Sequence, residues 1–464
     1  MTVNAESMLV WCRKLLGFEP RPELTLEDYL AAIPRLAALD ELPAGTPVLV
    51  RGDVDAKPGP TIGEGDIRLR SMIPTLEHGR SRGWKQIIFG HIGRKPEGSL
   101  KGVAARLSEL LKSPVPLVTD WLDEATLEVR PEVAKQIADS PNGSVLVLDN
   151  TRRYDIERVL WKAKADDLPK LAPRLATFTT SLAERVAKHY VNEALSAGSL
   201  DTSTTVVPAG MQWAVLGDYV AEEFSGPMRR CLATELVVFS GLKIDKLDDL
   251  QAMIDRGTIR VVIAAGSLAM ALKKAAAQLD GGDFCLGVAE DPAHADKPYF
   301  IPAERVAQAR RMIEAGREHG VEFVLPIDFV LADGSVADKL APGDQQFDVG
   351  PQTSAMLHER IGEFIDATRD RRPAAVAFYN GVFGMFEDPR FEGGTKRFMS
   401  ELQRMKEAGI EVYIGGGEGG TALEKYGQPD WVTHVFTAGG TVLNALGSEP
   451  VPYLVALAMA AGRD

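Results

Sequence analysis

From Val48 onward, short apolar runs alternate with segments whose apolar residues recur at helical spacing. The runs at Val48–Val50, Gln86–Phe89, Val115–Val118, Ser144–Leu148 and His189–Val191 have strand length, and Arg70–Arg82, Val103–Lys112 and Asp167–Lys188 between them read as helices. A long helix is expected from about Trp213 to Cys231. A second series follows it, with strands at Leu236–Phe239, Arg260–Ala264, Glu322–Leu325, Ala374–Phe378, Val412–Ile414 and His434–Thr437. Alternation on this scale predicts parallel sheets covered by helices on both faces, and two series predict two α/β domains. The expected organisation is an N-terminal extension over 1–45, a first domain over 46–212, an interdomain helix over 213–231 and a second domain over 232–440. A C-terminal segment over 441–464 is expected to return to the first domain. In the extension, Thr25 with Asp28 would cap a helix through Tyr29, Leu30, Ile33 and Leu36, which Pro34 must kink or end.

Ligands of open parallel sheets bind beyond the carboxyl ends of the strands, so those positions are where chemistry is expected. In the first series they are polar: Arg51-Gly52-Asp53-Val54-Asp55, Asp66-Ile67-Arg68, Gly90-His91-Ile92-Gly93-Arg94 and Asp149-Asn150-Thr151-Arg152-Arg153. Arginine matches carboxylate and phosphate in bidentate geometry, so the cluster predicts a small anionic ligand. In the second series the strand ends are glycine-rich: Ser240-Gly241-Leu242-Lys243-Ile244-Asp245-Lys246, Asn380 through Glu387, Gly415-Gly416-Gly417-Glu418-Gly419-Gly420 and Ala438-Gly439-Gly440. A strand entering a glycine turn and leaving as a helix presents backbone N–H groups and the helix dipole to phosphate. Glu418 would repel a bare phosphate but suits one carrying Mg²⁺. Together the two series predict an anion-binding domain and a nucleotide-binding domain, hence phosphoryl transfer.

Charge sharpens this. The chain carries a formal net charge of −13, which argues against nucleic acid or a membrane surface as partner and makes any basic cluster a local device. Cys12, Cys231 and Cys285 are far apart and form no CxxC pair, as expected of a reduced, cytoplasmic protein without structural zinc. No signal peptide or bilayer-spanning run is evident, and a monomer is expected.

Order and spacing then resemble the phosphoglycerate kinase family over roughly residues 46 to 455. The substrate string of that family is similar to Val50–Pro58, and its arginine ahead of a helix proline to Arg68 before Pro74. Its SHLGRP string is similar to Gly90–Arg94, LLEN-x-RF to Val147–Arg153 and VNDAF to Val191–Leu195. GGAKV-x-DK resembles Ser240–Lys246, LPVD is Leu325–Asp328, and D-[IV]-GP-x-[ST] is Asp348–Thr353. NGP-x-G-x-FE resembles Asn380–Glu387, GGGD resembles Gly415–Glu418 and SHVSTGGG resembles Thr433–Gly440.

The resemblance implies two Rossmann-like domains joined by a hinge helix, and an ATP-dependent kinase whose acceptor is a carboxylate. It implies that Asp53, Asp55, Arg68, His91, Arg94 and Arg152 hold the acid. Arg68 and Lys243 would be catalytic. Gly241, Lys243, Lys246, Asn380, Gly381, Glu387, Gly415, Gly416, Gly417, Glu418, Gly439 and Gly440 would hold ATP or ADP, with Glu418 reaching Mg²⁺. The implied acid is 3-phosphoglycerate. The departures keep two other readings open, a kinase of another small acid and a nucleotide-binding paralogue without turnover. Ser199 and Leu200 stand where the family has a histidine–arginine pair, and Asp201 adds a negative charge beside them. Asp55 replaces an asparagine, one residue is missing between Lys243 and Lys246, Glu418 replaces an aspartate, and Ser240 and Ala438 replace glycines, which is expected to narrow the phosphate loops.

Overall fold

The structure, a computed structural model, describes residues 3–56, 64–241, 244, 246–447 and 450–462. The chain divides into two compact units, Met1–Gly226 with Pro450–Asp464, and Pro227–Glu449. Each is a six-stranded parallel sheet covered by helices.

In the first unit the strands are β1 (Pro47–Gly52), β2 (Lys85–Phe89), β3 (Leu117–Val118), β4 (Val145–Leu148), β5 (His189–Glu193) and β6 (Trp213–Leu216), in the order β3-β4-β2-β1-β5-β6. β1 pairs with β2 on one side and β5 on the other, with Val50 opposite both Ile88 and Val191. Buried on both faces, these strands need continuous apolar runs rather than alternation, which is what Val48-Leu49-Val50 and Val145-Leu146-Val147-Leu148 provide. Met72, Leu76, Trp84, Val103 and Leu107 pack on the sheet from the helices and turns beside it.

The segment expected as a helix over 213–231 is different. Trp213–Leu216 is the edge strand β6, and a helix follows only at Asp218–Glu223. A four-residue apolar run fits either state, and here it pairs with β5. The boundary between the units falls at 226/227, where Pro227 sits in a π-helical turn. Residues 3–45 are integral to the first unit. The helix Ala5–Leu15 packs on Leu168–Arg185, and Trp11 Nε1 donates 2.9 Å to the Thr205 carbonyl. The Thr25–Asp28 capping box starts Leu26–Ala32, which ends before Pro34. The helix Pro452–Ala461 packs on Thr202–Thr205, β6 and Leu26–Ala32, and buries Tyr453 to Leu457.

In the second unit the strands are β7 (Thr234–Phe239), β8 (Val261–Ala264), β9 (Glu322–Val324), β10 (Val376–Asn380), β11 (Glu411–Gly415) and β12 (His434–Phe436), in the order β9-β8-β7-β10-β11-β12. The helix Gly439–Leu446 closes this unit, so the second unit runs past residue 440 to 449. A small antiparallel sheet of Phe329–Leu331, Val336–Ala337 and Gln346–Val349 was not legible as strands. Asp328, at its edge, accepts the backbone N–H of Gln352 (2.9 Å) and Thr353 (2.7 Å) and so caps the helix Pro351–Thr368. In both sheets the connections change direction beside the central strand, at β1/β5 and at β7/β10, and such switch points open crevices at the strand carboxyl ends.

Candidate functional site

Beyond β1, β2 and β4 the first unit gathers charge. Asp53 is fully buried and accepts Ser196 Oγ (2.6 Å) and Ser196 N (3.2 Å). Arg68, from the helix Glu64–Ser71, donates 2.6 Å to the Asp55 carbonyl and lies 3.3 Å from the Asp55 carboxylate and 3.9 Å from Asp53. Asp55 also accepts the Gly93 N–H at 2.8 Å. Burial opposes its charge, but that N–H, with His91 and the Arg68 and Arg152 charges close by, outweighs burial and holds the carboxyl below its usual value. The extra carboxylate is therefore paired.

His91 and Arg152 are buried in a second layer with Arg51, a residue quoted in the first motif but not selected as a ligand residue. The three converge on Asp201. Arg152 Nη2 donates to both of its oxygens (2.9 and 3.2 Å), His91 Nδ1 lies 3.2 Å away and Arg51 Nη2 3.8 Å away. Trp161 completes the set: its Nε1 donates 2.8 Å to Asp201, and the Arg152 guanidinium stacks 4.8 Å above its ring. Arg51 Nη2 meets His91 Nδ1 at 2.7 Å. The same nitrogen lies 3.2 Å from Asp201, and Nε2 lies 3.8 Å from Asp55. Burial pushes His91 below its usual value, the approach of Asp201 pulls the other way, and the Arg51 charge adds to the lowering. Burial likewise opposes the Asp201 charge, yet the His91 contact and the Arg152 and Arg51 charges hold it well below the carboxylate range. Glu157, buried behind them, takes the Ser203, Thr151 and Thr202 hydroxyls (2.6, 2.8 and 3.0 Å). Burial and the Asp201 charge push its carboxyl up. Arg94 is not part of this cluster; it is exposed and makes no ion pair among the described residues.

In the second unit one cleft of about 1560 Å³ is lined by Gly241, Lys246, Asn380, Gly381, Glu387, Gly415, Gly416, Gly417, Glu418, Gly439 and Gly440. The four turns sit past β7, β10, β11 and β12. Asn380 joins three of them: it accepts Lys246 Nζ at 2.7 Å and donates 2.6 Å to the Gly415 carbonyl, while Lys246 also donates to the Ser240 carbonyl at 2.8 Å. Glycine is required where turns meet. Gly381 has φ of 101°, and a Cβ there would overlap the Ser240 carbonyl; a Cβ on Gly439 would lie 2.7 Å from Gly416 Cα. The expected narrowing at Ser240 and Ala438 does not occur. Both are buried and neither lines the cleft, and the Ser240 hydroxyl donates to the Val382 carbonyl. Glu418 is exposed in the first turn of the helix Gly417–Tyr426. Among the described residues no three His, Cys, Asp or Glu groups converge on a metal position. A single exposed carboxylate beside glycine N–H groups is a donor set that would suit an ion arriving with nucleotide phosphates and keeping waters, as Mg²⁺ does. Lys243 lies outside the described residues.

Sequence reasoning passed over Arg51, Trp161 and Glu157. Arg51 had a signal, its place at the end of the central strand. Trp161 and Glu157 had none, because they reach Asp201 and its neighbours from about forty residues away.

The family model "Phosphoglycerate kinase" matches residues 39–449. A cytosolic phosphoglycerate kinase of Triticum aestivum is 30% identical over 413 residues, covering 84% of this chain and 90% of that protein. A phosphoglycerate kinase of Synechococcus sp. (strain JA-2-3B'a(2-13)) is 30% identical over 442 residues, covering 89% and 95%. The crystal structure of phosphoglycerate kinase from Pyrococcus horikoshii OT3 agrees in fold, with a TM-score of 0.70 at 22% identity over 92% of this chain and 99% of that one. No helix among the described residues is long and apolar enough to cross a membrane. Matched over most of its length, the chain belongs to the phosphoglycerate kinase family and is an ATP-dependent kinase with a carboxyl group as acceptor.

Proposed function

We propose that the first unit binds a small carboxylic acid beside Arg68 and that the second binds Mg-ATP in the glycine-lined cleft, for transfer of the γ-phosphoryl group to the acid. The observation that carries this is Arg68, only partly exposed and steered by Asp53 and Asp55 at the switch point of its sheet. A carboxylate of pKa near ~4 is ionised at neutral pH, so the nucleophile needs no general base. Its oxygen forms a bond to the γ-phosphorus as the β–γ bridging P–O bond breaks, ADP leaves with the electron pair, and no proton moves. What the reaction requires is alignment and charge neutralisation at both ends. Arg68 would neutralise the acid; Lys243, Lys246 and the glycine N–H groups would hold the phosphates, and bound Mg²⁺ would neutralise their charge, with Glu418 as its carboxylate ligand. A cytoplasmic location is proposed, as for the cytosolic relative of Triticum aestivum.

The acid that the relatives' names point to is phosphoglycerate, and 3-phosphoglycerate is the first substrate to test. A second reading, another small acid, is favoured by Asp201 within the Arg51–His91–Arg152 cluster. The test is ADP release from Mg-ATP and candidate acids with hydroxylamine present, which converts acyl phosphate to a hydroxamate. Hydroxamate is expected; ATP binding without hydroxamate from any acid would leave only a nucleotide-binding paralogue.

A further inference from the structure

Guanidinium and imidazole groups gathered past β1, β2 and β4 form a basin suited to an anion, but the anion is already there. Arg152, His91 and Arg51 all face Asp201, at 2.9, 3.2 and 3.8 Å. Its other oxygen takes the Trp161 N–H. The second Arg152 terminal nitrogen donates to the Gly93 carbonyl at 2.8 Å, and Arg51 is completed by Ser203 Oγ and the Gly52 carbonyl. Asp201 is fully buried, and its backbone carbonyl receives the Thr204 and Thr205 hydroxyls. The short helix that it precedes is held from behind by Trp11 and by Pro452–Ala461. The carboxylate cannot swing out without stripping these partners.

We propose that Asp201 is a specificity-determining residue, a built-in anion filling the basin that would otherwise receive the charged tail of a substrate, so that the acid accepted here is uncharged at the end remote from its reacting carboxylate. This rests on the reading of the first unit as an acid-binding kinase site. A phosphate entering the basin meets two guanidinium groups and an imidazole already engaged by Asp201, and a fixed like charge among them. Juxtaposed like charges are a strong means of rejection. The tethered carboxylate also competes intramolecularly, at an effective concentration that a free ligand does not reach. Arg94 is left outside, and an exposed guanidinium is screened by water and salt. Near the basin, Ser196 is partly exposed with its hydroxyl donating to Asp53, and the exposed Ser199 hydroxyl accepts Arg152 Nη2 at 3.3 Å; hydroxyls of this kind suit a hydroxylated, neutral tail.

The test compares two acids differing only in that tail, D-glycerate and 3-phosphoglycerate, in the hydroxamate assay. The wild-type chain is expected to give kcat/KM for glycerate at least ~10-fold above that for 3-phosphoglycerate. Asp201→Asn, which keeps shape and removes charge, should lower KM for 3-phosphoglycerate at least ~10-fold relative to KM for glycerate. A wild-type preference for 3-phosphoglycerate overturns the proposal, as does a KM ratio unchanged by the substitution. Should Asp201→Asn fail to fold, the wild-type comparison decides alone. Silence on both acids would count against the kinase reading instead. Binding of inorganic phosphate to the wild-type chain and to Asp201→Asn, read by calorimetry, then decides: tighter binding by the variant supports the proposal, and equal binding overturns it.

Discussion

Past β1, β2 and β4 the first unit presents guanidinium, imidazole and carboxylate groups, most of them buried, whereas past β7, β10, β11 and β12 the second presents glycine backbone. The glycine cleft would recognise phosphate through N–H groups, which every residue but proline carries, and through the room left by missing side chains. Its replacements at Ser240 and Ala438 leave the cleft unnarrowed because both side chains are buried away from it. The charged basin depends on which side chain stands where, so a single carboxylate, Asp201, changes its balance. Recognition by backbone tolerates sequence drift; recognition by paired side-chain charge can be retuned by one substitution.

The comparison can be broken most forcefully at Arg68. Arg68→Met should cut kcat/KM for the acid by roughly 10²–10³-fold while leaving ATP binding unchanged, as read by steady-state kinetics and by nucleotide titration. A milder loss would move the catalytic charge elsewhere. On the other side, Gly381→Ala places a Cβ against the Ser240 carbonyl at a φ of 101°, a strain of roughly 1–3 kcal/mol before any clash. KM for ATP should rise at least ~10-fold, with acid binding intact, and an unchanged KM would deny the backbone its role.

The two modes should also differ in pH response. Glu193, fully buried at the end of β5, accepts Thr75 Oγ1 (2.6 Å) and Tyr219 N (3.1 Å), and burial pushes its carboxyl up to about 8 from 4.5. The folded chain then holds this proton more tightly than the unfolded one. The contribution to stability is complete below about 4.5 and is lost as pH rises through about 8, at up to about 1.4 kcal/mol per pH unit. Glu193→Gln should flatten that decline in denaturant unfolding of the first unit at pH 5, 6.5 and 8; an unchanged slope would mean that the carboxyl ionises freely. Smallest of all, Ser240→Gly should alter KM for ATP by less than about twofold, because the serine hydroxyl is bonded to Val382 and lies away from the cleft.

Much of this is legible in the sequence. Eleven strands were readable as apolar runs because parallel strands buried on both faces must be continuous in sequence, and the glycine turns were readable because only glycine tolerates their approach. β6 was misread because Trp213-Ala214-Val215-Leu216 is too short to show a period. The small antiparallel sheet at 329–349 is built of two- to four-residue strands with the same defect. In the basin, the sequence showed Asp201 as a negative charge near a missing histidine–arginine pair. What it could not show is that Arg51, His91 and Arg152, brought from three strands, all turn onto that one carboxylate. Pairing of this kind is a property of side-chain direction across 50 to 150 residues of chain, and local pattern carries no trace of it.

The helix Pro452–Ala461, packed against Thr202–Thr205 and β6, has a consequence for the order in which the protein is made. On the ribosome the sheet of the first unit, the Asp201 segment and the whole second unit all emerge before this helix does. Until Tyr453 to Leu457 arrive, the apolar surface behind Thr202–Thr205 stays wet, although most of its own domain is already synthesised. The second unit, continuous from Pro227 to Glu449, has no such debt and can complete its fold during synthesis. The first unit is thus begun before the second and completed after it.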